Sequence, residues 1–124
     1  MRTIIGLIQL LGLFVWEIIR NRFQNPGVKT DEFPNAIGRF GFDVTNPIPC
    51  KGFFGPTQYL DKIEFSESML LRFERIGSTA SDNIAAEHID YYSIFIKDQK
   101  HITLYLAPHQ KKTSRKLPKG FNWK

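Results

Sequence analysis

The sequence predicts an α+β protein: a hydrophobic N-terminal helix, then a small domain with an antiparallel sheet of three or more strands and one short helix. Three observations predict it. Residues 4–19, IIGLIQLLGLFVWEII, form an almost unbroken apolar stretch. Two runs of period-two alternation lie within residues 89–106. Proline and glycine punctuate the chain between these segments, so the elements there must be short.

At 124 residues the chain supports one domain. The organisation expected is a helix over 1–24, a linker over 25–36 and a small α+β domain over 37–124 with a basic C-terminal tail. Of the seventeen residues 3–19, twelve are Ile, Leu, Phe, Val or Trp. A helix over 3–23 would be about 31 Å long, close to a hydrocarbon core of about 30 Å. Thr3, Gly6, Gln9, Gly12, Glu17 and Arg20 fall on one half of the helical wheel. Leu7, Leu11, Phe14 and Ile18 fall on the other.

The first reading is a membrane span with a small Gly/Gln face for a partner helix. The second is a helix lying in the interface or packing on the protein's own sheet. A signal peptide comes third, because no small-residue cleavage pattern follows. For a span, Arg20 and Arg22 outweigh Arg2, which places the C-terminal domain in the cytoplasm.

Beyond the segment NPGVKTDEFPN, a linker by its Pro-Gly chemistry, residues 37–44 carry Phe40, Phe42 and Val44 at period two and read as a short strand. Residues 45–49, TNPIP, read as a rigid extended or turn segment, and 51–56 continue the loop. Thr57 is placed to cap a helix over 58–63 with Tyr59, Leu60 and Ile63 on one face. Residues 68–76 read as a strand that Gly77-Ser78 stops, and 81–87 as a polar loop or a turn or two of helix.

In the 89–106 hairpin, a three-residue loop at 98–100 pairs Ile96 with Ile102, Ile94 with Leu104 and Tyr92 with Leu106, so that one face is apolar. Pro108 ends the second strand, and 109–124 have neither strand nor helix period. Leu117, Phe121 and Trp123 are expected to pack on the domain while 111–116 stays solvated.

Composition narrows the chemistry. A single cysteine, Cys50, excludes an internal disulfide framework and a zinc site of several cysteines. His88-x-Asp90 with Glu87 is too short a set for a metal site without a third distant ligand. His101 and His109 lie near no Ser or Cys in a nucleophile elbow, and no phosphate-cradling glycine loop occurs. No catalytic residue, cofactor or metal is expected, and the reading is non-enzymatic.

Tyr91, Phe95 and Tyr105 share the second face of the hairpin, where the short helix would cover them. The net charge of +5 is uneven: residues 99–124 carry seven basic side chains and no acidic one. Lys111, Lys112, Arg115, Lys116 and Lys119 are the residues expected to meet an anionic partner. Membrane lipid is the first such partner, a protein the second and nucleic acid the third. The function expected is a membrane-associated binding or interaction protein. The alternatives are a soluble, toxin-neutralising type of protein-binding module and a nucleic-acid binder.

Several short pieces also carry a resemblance. They are Asn46-Pro47-Ile48-Pro49, Tyr59-Leu60, Phe73-x-Arg75-Ile76-Gly77-Ser78, Asp90-Tyr91-Tyr92 and Ser114-Arg115-Lys116-x-Pro118-Lys119-Gly120-Phe121. Over residues 45–121 the chain resembles a group of small bacterial proteins of no established activity. The resemblance implies a compact bacterial domain and assigns no residue a role.

Overall fold

The computed structural model describes residues 27–65, 71–97 and 99–124. The N-terminal segment 1–24 lies outside them, and so does the choice between a span and a packed helix. Among the described residues no helix is long and apolar enough to cross a membrane.

The best sequence signal, the alternation after Ile89, becomes the centre of the sheet. Strand β4 (Ile89–Ile96) lies between β3 (Leu71–Thr79) and β5 (Gln99–Gln110), antiparallel to both. Strand β1 (Ile48–Lys51) adds to the outer edge of β5 in parallel, giving the order β1-β5-β4-β3. A second sheet pairs β2 (Ile63–Phe65) with β6 (Phe121–Trp123), antiparallel. One short helix, α1 (Gly55–Asp61), lies between β1 and β2. The fold is therefore α+β, mostly sheet, with an antiparallel core.

The hairpin register differs from the expected one by two residues. Ile96 pairs with Gln99, Phe95 with Lys100 and Ile94 with Ile102, so His101 is an extra residue in the ladder. Lys97 takes φ 52 at the tip, a left-handed position filled without glycine. A bulge absorbs the extra residue and restores the alternation. Because the displacement is even, the same side chains still share a face. Tyr92, Ile94, Leu104 and Leu106 are buried in one cluster with Ile48, Cys50, Tyr59, Leu60, Ile63 and Phe121.

Helix α1 thus covers this aliphatic face and not Tyr91, Phe95 and Tyr105, which stay half-buried on the other side. The helix's Tyr59 and Leu60 are buried on this face with Tyr92, Ile94, Leu104 and Leu106. The opposite face is closed at one end by Phe33 and Ile84, which pack with Ile89 and Ala107.

Several other boundaries also differ. Residues 37–44 form turns, not a strand. Gly38 and Gly41 sit at φ +76 and +78, and Asp43 Oδ2 accepts a hydrogen bond from the Arg39 backbone N–H at 2.6 Å. These are conformations an extended ladder does not contain. Ile48–Lys51, expected to be the end of a rigid extended or turn segment and the start of a loop, is a strand; Pro49 is tolerated because β1 is an edge.

The helix starts earlier than expected, at Gly55, with Phe54 in the cap position and Pro56 in the first turn. The Thr57 hydroxyl donates to Phe54 O at 3.0 Å instead of capping the helix. Gly77-Ser78 does not stop β3: the ladder shifts between Arg75 and Gly77 and runs on to Thr79. Pro108 does not end β5. It lies beyond the last β4 pair, Asp90 with Leu106, at an irregularity of the β1 ladder. The C-terminal end, expected to be irregular, forms β6; Phe121 is buried and Leu117 packs against the core as expected. From Gly27 on, the segment read as a linker is fastened to the domain: Phe33 is buried, and Val28 exchanges hydrogen bonds with Gln110 and Lys111.

Candidate functional site

The basic segment 111–119 follows β5 and runs along β1. Its course is set by backbone partners. Lys111 N–H donates to Val28 O, and Ser114 N–H donates to Pro49 O at 2.8 Å. The Thr113 hydroxyl oxygen accepts from Lys51 N–H. Ser114, expected to be solvated, is buried; its hydroxyl donates to Asp31 O at 2.7 Å and accepts from Lys116 N–H.

Two of the five basic side chains are engaged by the domain. Lys112 Nζ lies 3.0 Å from Asp31 Oδ1. Lys116 Nζ lies 3.0 Å from Glu32 Oε2 and 5.0 Å from the centre of the Phe40 ring. The Arg115 backbone N–H and then the Lys112 ammonium hold the Asp31 carboxyl below its ordinary range. Lys116 and then the Asn46 amide do the same for Glu32. Lys111, Arg115 and Lys119 are exposed and within salt-bridge distance of no described carboxylate, although the Arg115 charge also helps to lower the Asp31 pKa.

These depressed carboxylates predict acid sensitivity of a definite sign. A carboxyl that binds its proton less readily when folded stabilises the fold above its unfolded pKa and loses that contribution as pH falls. Both groups are substantially exposed, so the contribution is modest. Melting temperature should fall as pH drops below about 5. The slope should flatten in the Asp31→Asn, Glu32→Gln double variant; an equally steep slope there would assign the effect elsewhere.

Arg115 opens onto a groove of about 370 Å³ lined by Gln58, Tyr59, Lys62, Thr113, Ser114, Arg115 and Trp123. The groove exists because α1 and β6 converge on the basic segment. The Tyr59 hydroxyl donates to Lys116 O at 2.6 Å, and its ring meets Trp123 edge-on at 5.4 Å. Burial raises the Tyr59 pKa and keeps the phenol neutral. Two cations, Lys62 and Arg115, line this groove together with a half-exposed indole, a set of groups suited to an anion with a flat or apolar part. Sequence reasoning found Arg115 but missed Lys62, Gln58 and the role of Trp123. Nothing in sequence spacing joins residues that far apart.

A second group of polar residues gathers where β4 begins. Asp90 Oδ1 accepts from the Ser78 hydroxyl at 2.8 Å and from Arg75 at 3.2 Å, and His88 Nε2 lies 3.6 Å away. His109, at φ 65, brings its ring within 5.7 Å of the His88 ring. His109, which the sequence does not connect with the His88-x-Asp90 pair, is thus its neighbour. Their geometry is structural: the Ser78 proton goes directly to the carboxylate and its oxygen accepts from Arg75 at 2.7 Å, so neither histidine is its base. Among the described residues, no three His, Cys, Asp or Glu side chains are arranged to hold a metal ion.

Cys50 is wholly buried, and burial followed by the charge of Asp90 pushes its thiol well up, away from the nucleophilic thiolate. On the half-buried sheet face, Tyr91 and Tyr105 pair at 6.0 Å and Arg72 covers Phe95 at 4.2 Å. No family model, curated protein or solved structure matches this chain.

Proposed function

We propose that the chain is a non-enzymatic, membrane-associated binding protein that meets an anionic partner through its basic C-terminal segment. One observation carries this reading: Arg115 and Lys62 both line the Trp123 groove, with Lys111 and Lys119 exposed on the same segment as Arg115. Lys112 and Lys116 are paired with Asp31 and Glu32, so the three cations without such a pair are the ones the test removes. The apolar residues 4–19 supply the membrane association, and anionic lipid headgroups are the partner an anchored basic surface would meet first.

Two measurements test the proposal. Cell membranes washed with high salt and then carbonate should retain the protein; a cytosolic protein would favour the soluble protein-binding alternative. In vesicle partitioning, wild type should prefer phosphatidylglycerol-containing vesicles to pure phosphatidylcholine. Each basic residue near an anionic surface contributes about 1 kcal/mol. A Lys111→Gln, Arg115→Gln, Lys119→Gln variant should therefore lose about 100-fold of that preference. Indifference of the wild type to anionic lipid would end the basic-segment reading.

A further inference from the structure

The turn between β1 and α1 carries two phenylalanines in the open. Phe53 is 73% exposed and Phe54 66%, and their rings pack edge to face at 5.0 Å. Gly52, before them, is at φ +76, and a Cβ there would meet nothing within 4 Å, so the turn projects from the domain. Both rings, in adjacent residues, leave most of their apolar surface in water. Exposed Lys51 precedes the pair. Exposed His109 stands beside it, its ring 6.4 Å from Phe53 and its N–H donating to Gly52 O, and exposed Lys111 follows two residues on.

Gly27 packs at this same place. A Cβ on Gly27 would lie 3.0 Å from Gln110 Cα and 3.1 Å from His109 O, and Val28 N–H donates to the Gln110 side chain. Gly27 therefore lies next to His109, whose ring neighbours Phe53, and the apolar stretch of the sequence ends eight residues before it, at Ile19. A protein partner would leave that coincidence unexplained; a lipid surface accounts for it together with the flanking lysines, since aromatic rings and cations are the groups that settle at an anionic headgroup boundary.

We propose that Phe53 and Phe54, with Lys51 and Lys111, form a lipid-contacting tip that rests the domain, at its anchored end, on an anionic membrane surface. The proposal rests on the membrane-association reading above and adds an orientation to it. The hairpin tip at Lys97 lies at the other end of the sheet, about 30 Å away along the strands.

The test uses the full chain with an environment-sensitive fluorophore on Phe53→Cys or, separately, on Lys97→Cys, mixed with phosphatidylcholine–phosphatidylglycerol vesicles. Buried Cys50 stays unlabelled. The expected result is a blue shift and quenching by spin-labelled lipid chains at position 53 and neither at 97. Vesicle-bound protein with both probes in water overturns the tip while leaving the membrane reading intact. Equal lipid contact at 53 and 97 also overturns it, because the domain then has no preferred end. Protein that does not associate with the vesicles removes both proposals.

Discussion

Replacing Leu104 by alanine should destabilise the domain by about 3 kcal/mol, enough to lower the melting temperature by about 15 °C. Leu104 is fully buried on the central β5, pairs with Tyr92 and belongs to the cluster that α1 closes. Truncation removes its transfer free energy and leaves a cavity between two regular elements that cannot collapse into it. Lys100→Ala, on the same strand but exposed, should change stability by less than about 0.5 kcal/mol. Thermal melts followed by circular dichroism measure both. Equal effects would mean that the helix-covered face is not the core.

The second large effect is expected at Asp90. This carboxylate is 6% exposed and accepts hydrogen bonds from both Ser78 and Arg75. Hydrogen bonds to a charged group are worth roughly 1.5–3 kcal/mol each. Arg75 is half exposed and water can replace its lost partner, so Asp90→Ala should cost about 2 kcal/mol, not the sum. Asp90→Asn keeps an oxygen for Ser78 and should cost about half as much. The strand ends held together here, β3 and the start of β4, should lose amide-exchange protection first. An alanine variant as stable as wild type would show that this network does not fasten the sheet.

Local pattern carried a good part of this structure. Alternation in 89–106 specifies which side chains share the core face, and it survives a two-residue register change because side-chain direction repeats every second residue. The register itself depended on the bulge at His101 and the left-handed Lys97, neither of which composition signals. Residues 37–44 have strand-like alternation, but glycines at positive φ and the Asp43 side chain bend them into turns. The short β2–β6 pair was invisible because each of its strands has three residues and its partner lies more than fifty positions away.

The surfaces divide in the same way. The clustering of lysine and arginine after residue 99 is a property of the sequence alone, as is the apolar character of residues 4–19. Which of those cations have a carboxylate partner within the chain was decided by tertiary structure, because Asp31 and Glu32 reach Lys112 and Lys116 only after the chain has folded back on itself. The meeting of Gly27, His109 and the Phe53–Phe54 turn is likewise a consequence of packing. Local sequence encodes propensity, pattern and charge over a few residues, whereas partners eighty positions apart are selected by the burial of a shared core.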